Sequence, residues 1–181
     1  MRITRSFVSR AALGATLVVG LVAVTAATKS TPYGAALFGG PWISIESPVN
    51  PYVASQTGGL FVVHTYVHMN PSDLPVSGRA EGIVDGKRRT VPFKLTSSGQ
   101  MGTYVVRREW GEKGIWTVLL TAMPEAKNGW SSQAVVNVGA DGEIEKVSVP
   151  RAGQRTRLLT DAEVEQGLRD RAKATVAVSA R

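Results

Sequence analysis

From Trp42 to Val149, apolar and polar side chains alternate in short runs, each bounded by Gly, Pro, Asn or Asp. A period of two marks strands with one buried face. Strands are predicted at residues 42–46, 60–69, 77–84, 89–96, 103–110, 115–122, 132–139 and 143–149, and no run of helical period interrupts them. In 89–96, Val91, Phe93 and Leu95 face inward, while Pro92, which has no N–H to give a ladder, places the strand at a sheet edge. Trp116, Val118 and Leu120 face inward, with Thr117 and Thr121 outward. Asp85-Gly86 and Asp141-Gly142 accept the positive φ of tight hairpins, and Gly111 to Gly114 reads as a further hairpin turn.

Seven or eight such strands at this spacing pack as two antiparallel sheets, so the expected fold class is all-β, an immunoglobulin-like sandwich over residues 41–150. Residues 151–159 read as a basic linker and 160–178 as an amphipathic helix. Thr160 is placed to cap the amide of Glu163, Glu163 to reach back, and Leu159 to pack on Val164. Val164, Leu168 and Ala172 then form an apolar stripe at i+4 spacing, the interaction candidates of the tail. Glu165 and Arg169 add a pair worth only tenths of a kcal/mol. A helix of this length is marginal alone and is expected to dock on the sandwich or on a partner.

The N-terminus follows another pattern. A basic stretch with Arg2, Arg5 and Arg10 precedes an apolar run from Ala11 to Ala27. Residues 1–27 therefore read as a signal peptide cleaved after Ala26 or Ala27, or as an uncleaved anchor, and 28–40 as a linker. The membrane is met only through 11–27, and only if uncleaved. Both readings put the domain in the periplasm or outside the cell. The chain has no cysteine, which removes disulfides, thiolate metal sites and thiol catalysis. Its net charge of +7 lies outside the sandwich, because residues 41–150 carry ten basic and ten acidic side chains. A nucleic-acid partner is therefore not expected.

No nucleophile elbow, Walker loop or HExxH motif occurs, so an enzyme is not expected. The most specific chemistry is VVHTYVH, which sets His64, Tyr66 and His68 on one face of a strand and Phe61, Val63, Thr65, Val67 and Met69 on the other. These three are the ligand or metal candidates. Residues i and i+4 of a strand lie roughly 13 Å apart, so both imidazoles cannot chelate one copper or zinc ion without a bulge. Trp42, Trp110 and Trp130 offer stacking platforms for a carbohydrate, against the simpler reading that they fill core.

Leu60 to Ala122, with LFVVHTYVH, PVSGRAEG, GTYVVRREW and GIWTVLLTA, resembles the immunoglobulin-like envelope modules of the YtkA-like and FixH-like kind. In that resemblance Gly102, Tyr104 and Val106 match the corner where an immunoglobulin strand begins, with the tyrosine hydroxyl bonded to nearby backbone. It implies an envelope compartment and either copper handling or assembly of membrane complexes. The methionine- and histidine-rich clusters of copper chaperones are missing here. The expected function is a non-enzymatic, extracytoplasmic binding or accessory module acting on an envelope protein partner. The alternatives are a periplasmic copper-binding protein and a carbohydrate- or wall-binding module.

Overall fold

A computed structural model describes residues 40–123, 130–153 and 155–179 of the chain, with side chains to residue 175. The reading of 1–27 as a signal, and that of 28–40 as a linker up to its last residue, lie outside the described residues.

The described strands form two larger antiparallel sheets and one small hairpin. Sheet A has the order β1 (Pro41–Glu46), β2 (Phe61–Val67), β7 (Thr103–Val106), β6 (Thr96–Ser97), with β3 (Asn70–Pro71) also on β2. Sheet B has the order β10 (Ile144–Ser148), β9 (Ser132–Val138), β8 (Ile115–Ala122), β4 (Val76–Val84), β5 (Lys87–Lys94). Their facing sides share one apolar core, in which Phe61, Val63 and Val106 from sheet A meet Phe93, Trp116 and Val136 from sheet B. The architecture is all-β and sandwich-like.

Sheet B makes room for its large rings with glycine. A Cβ on Gly78 would stand 2.5 Å from the Phe93 ring and one on Gly82 would stand 2.4 Å from Trp116. On the inner face of β4 only Ala80 carries a Cβ between them, so the two aromatic rings lie directly on backbone. Trp110 fills the space between, its ring 5.3 Å from Phe93 and 6.4 Å from Trp116. Tyr104 packs on the same core, and its hydroxyl donates to the Leu74 carbonyl at 2.8 Å, 30 residues upstream rather than within its own corner. Burial and the nearby Asp73 carboxylate raise its pKa.

Several boundaries differ from the sequence expectation. The strand expected to reach residue 69 stops at Val67, because His68 (φ 50°) and Met69 (φ 67°) turn the chain back to β3. Two consecutive positive φ values are the geometry of a type I′ hairpin loop, which aligns with strand twist. Asp85 (φ 50°) and Gly86 (φ 72°) build the other such loop, as expected. The strand expected at 89–96 is split at Leu95, since β5 is the edge of sheet B and β6 belongs to sheet A. The strand expected to run to Trp110 ends at Val106, and Gly111 to Gly114 is a crossover between sheets rather than a hairpin. Arg108 holds that crossover by donating to the Gly111 and Glu112 carbonyls at 2.7 and 2.5 Å.

The tail adds a small hairpin, β11 (Arg151–Ala152) with β12 (Arg155–Thr156), and the helix α1 (Asp161–Ser179). Thr160 Oγ1 accepts from the Glu163 amide at 3.3 Å and Glu163 accepts from the Thr160 amide at 2.9 Å, a reciprocal cap. Arg157 then grips both Glu163 oxygens at 2.8 and 2.6 Å. These bonds favour the carboxylate and hold its pKa down at about 2. A depressed acid stabilises the fold above its unfolded pKa and loses that contribution as pH falls through the folded value. The helix start is therefore expected to loosen as pH falls from about 4.5 toward about 2, read as a loss of amide protection, relative to the intrinsic exchange rate at each pH, at Glu163 and Val164. Glu163→Gln should remove that pH dependence. An unchanged exchange profile in the variant would assign the loosening to other carboxylates.

Candidate functional site

The outer face of sheet A presents the one concentration of histidine and aromatic chemistry that the sequence analysis singled out. Register decides its layout: Trp42 lies opposite Tyr66, and Ser44 lies opposite His64, which lies opposite Thr103. Half of that face is covered. The loop 47–60 folds back so that Val62 and Val105 are fully shielded, and Gly59 allows its close approach, since a Cβ there would stand 2.7 Å from Val105 Cγ1. Gln56, buried within the loop, accepts from the Asn50 amide at 3.0 Å and fixes its curl. The other half, with Trp42, Ser44, His64 and Tyr66, stays half-buried and open.

Within it, His64 Nε2 lies 2.8 Å from Glu46 Oε2, and its Nδ1 lies 3.4 Å from Thr103 Oγ1. A carboxylate, an imidazole and a hydroxyl thus stand in line across three strands. The line lacks what a nucleophilic triad needs. Thr103 is 5% exposed, and its hydroxyl donates to the Met101 carbonyl at 3.3 Å. The arrangement ties β1, β2 and β7 together and orients the imidazole. Beside it the Trp42 and Tyr66 rings stack at 4.1 Å with an 11° interplanar angle.

The expected stripe of His64, Tyr66 and His68 is therefore two residues, not three. His64 and Tyr66 share the outer face of β2, whereas His68 has left the strand in the type I′ loop and is exposed. Among the described residues no group of three His, Cys, Asp or Glu side chains gathers closely enough to hold a metal. The donor set here, one imidazole already bonded to one carboxylate, does not fit a two-histidine copper or zinc site. The three tryptophans are dispersed rather than gathered on one face. Trp110 is core, Trp42 is stacked on Tyr66, and Trp130 is half-exposed at the start of β9.

The centre of the outer face of sheet B is covered by α1, while the outward residues of the edge strand β5 stay exposed. Val164 and Leu168 are 2% and 1% exposed against Leu119, Val135, Ile83 and Leu159. Ala172 is partly buried one turn further on. Two arginines of the sheet fasten the helix: Arg79 to Asp161 at 2.9 Å and Arg88 to Glu165 at 3.1 Å. Both also bond Glu81, which is 1% exposed, at 3.1 Å each, and Thr90 donates to it at 2.8 Å. Arg171 reaches under the helix to the Trp116 and Val138 carbonyls, each at 2.8 Å, and to Glu145 at 2.7 Å.

No family model, curated protein or solved structure matches this chain. The geometry of the two outer faces is thus what any functional reading rests on.

Sequence reasoning missed Glu81, Arg171 and the Arg157 grip, because on paper each is a polar side chain at an outward position. A signal was present. Val118-Leu119-Leu120 and Ala134-Val135-Val136 break the alternation by placing Leu119 and Val135 outward, which requires a cover on that face.

Proposed function

We propose that this chain is a non-enzymatic, extracytoplasmic binding module of the bacterial envelope, an immunoglobulin-like sandwich that recognises a protein partner through the open half of sheet A. The observation that carries the reading is the asymmetry of the two outer faces. The centre of sheet B, at Leu119 and Val135, is covered by α1, while sheet A leaves Trp42, Ser44, His64 and Tyr66 half-buried without a covering element among the described residues. Aromatic side chains of this kind, apolar in body and polar at one edge, are enriched where proteins meet. The stacked Trp42–Tyr66 pair is rigid, so little conformational entropy is lost when a partner seats against it.

A photo-crosslinking residue placed at Tyr66 in living cells tests this, with Gln166 on the exposed side of α1 as the comparison. The expected product is one adduct from position 66, lost in Trp42→Ala, and none from position 166. The adduct's chain is expected to begin at Ala27 or Thr28 and to fractionate with the envelope. Crosslinks of equal yield from both positions would overturn the assignment of the face. A cytoplasmic, full-length adduct would overturn the assignment of the compartment.

A further inference from the structure

The geometry points to the free edge of β5 as a docking strand for an extended, acidic segment of another protein, which adds to sheet B beside it. Among the described residues β5 has β4 on one side and no strand on the other. The turn at Asp85-Gly86 fixes which of its backbone groups are occupied. A two-residue loop of this type makes Val84 and Lys87 a hydrogen-bonded pair, and the register repeats that pairing at Gly82 with Arg89 and at Ala80 with Val91. The alternate residues Arg88, Thr90 and Lys94 therefore turn their N–H and C=O groups outward, and Pro92 turns out its carbonyl alone. Two of their side chains leave that edge uncovered, because Arg88 and Thr90 reach back to Glu81 on β4 at 3.1 and 2.8 Å.

Charge selects the occupant. Lys87 and Arg89 share the opposite face of the strand, stand exposed, and form no ion pair or side-chain hydrogen bond among the described residues. Two free cations at alternate positions match a strand that carries carboxylates at alternate positions, because side chains opposite one another across a ladder interact. A second copy of β5 is disfavoured for the same reason, since it would set cations beside cations and offers no donor at Pro92. In strand addition the main chain supplies affinity and the alternate side chains supply specificity. The edge belongs to sheet B, so the inference stands apart from the reading of sheet A.

The test follows amide exchange in the protein as purified from cells while an end-blocked peptide of alternating Glu and Val is added in excess, its eight residues matching the length of β5. The outward amides of Arg88 and Thr90 are expected to exchange several-fold more slowly, and to gain more than those of Arg89 and Val91, which already bond to β4. The same peptide N-methylated throughout keeps every charge and loses every donor, and it should protect neither amide. A peptide of alternating Lys and Val should also be inert. Lys87→Glu with Arg89→Glu is expected to abolish the protection at an unchanged melting temperature, both side chains being exposed. Unchanged exchange at Arg88 and Thr90, protection spread evenly along β5, or equal protection by the N-methylated or the lysine peptide would overturn the proposal, as would protection that survives the charge reversal. The peptide comparisons need no variant, so they decide the result even if the double variant fails to fold.

Discussion

Trp116→Ala is expected to destabilise the domain by about 3–5 kcal/mol, the range for an aromatic ring taken out of a packed core. The side chain is 1% exposed. It lies directly over Gly82 and against Trp110, and its Nε1 donates to the Lys113 carbonyl at 2.8 Å. Neither neighbour can fill the space: Gly82 has no side chain, and Trp110 is already wedged against Phe93. The cavity therefore persists, and for a domain of this size the melting temperature should fall on the order of 10–20 °C. Urea melts of wild type and variant measure the difference. A loss below about 1 kcal/mol would mean that the ring is not enclosed between the two sheets.

The second large effect belongs to the seam under α1. Replacing both arginines, Arg79→Ala with Arg88→Ala, leaves the Glu81 carboxylate buried with only the Thr90 hydroxyl as partner. An unpaired buried charge of this kind costs about 3–5 kcal/mol. The same substitutions unfasten Asp161 and Glu165 of the helix, whose only fully buried contacts are Val164 and Leu168, among the described residues. The expected outcome is early protease cleavage within α1 and a lower unfolding midpoint. Adding Glu81→Leu to the double variant separates the causes, since it removes the stranded charge without restoring the helix pairs. Recovery of most of the stability would locate the loss at Glu81. No recovery would locate it in helix docking.

Local signals in this chain act over a few residues, and those were legible. Alternation of apolar and polar side chains marked the strands, and Asp85-Gly86 marked a hairpin because positive φ is a property of the dipeptide itself. The helix start was equally local, because Thr160, Glu163 and Leu159 satisfy their own neighbours. Pro92 correctly marked β5 as an edge, for want of a donor.

Which strand pairs with which depends on contacts between residues tens of positions apart, and only the tertiary structure decided it. It divided 89–96 between two sheets and made Gly111 to Gly114 a crossover. It also ended β2 at Val67, removing His68 from the face it was expected to share with His64, because the hairpin to β3 needed its positive φ. The burial of Glu81 and the partial burial of Arg171 follow from the same cause. Their positions read as solvent-facing until α1, roughly eighty residues away from Glu81 in sequence, lies over sheet B, and only there do two arginines and one carboxylate find a common geometry.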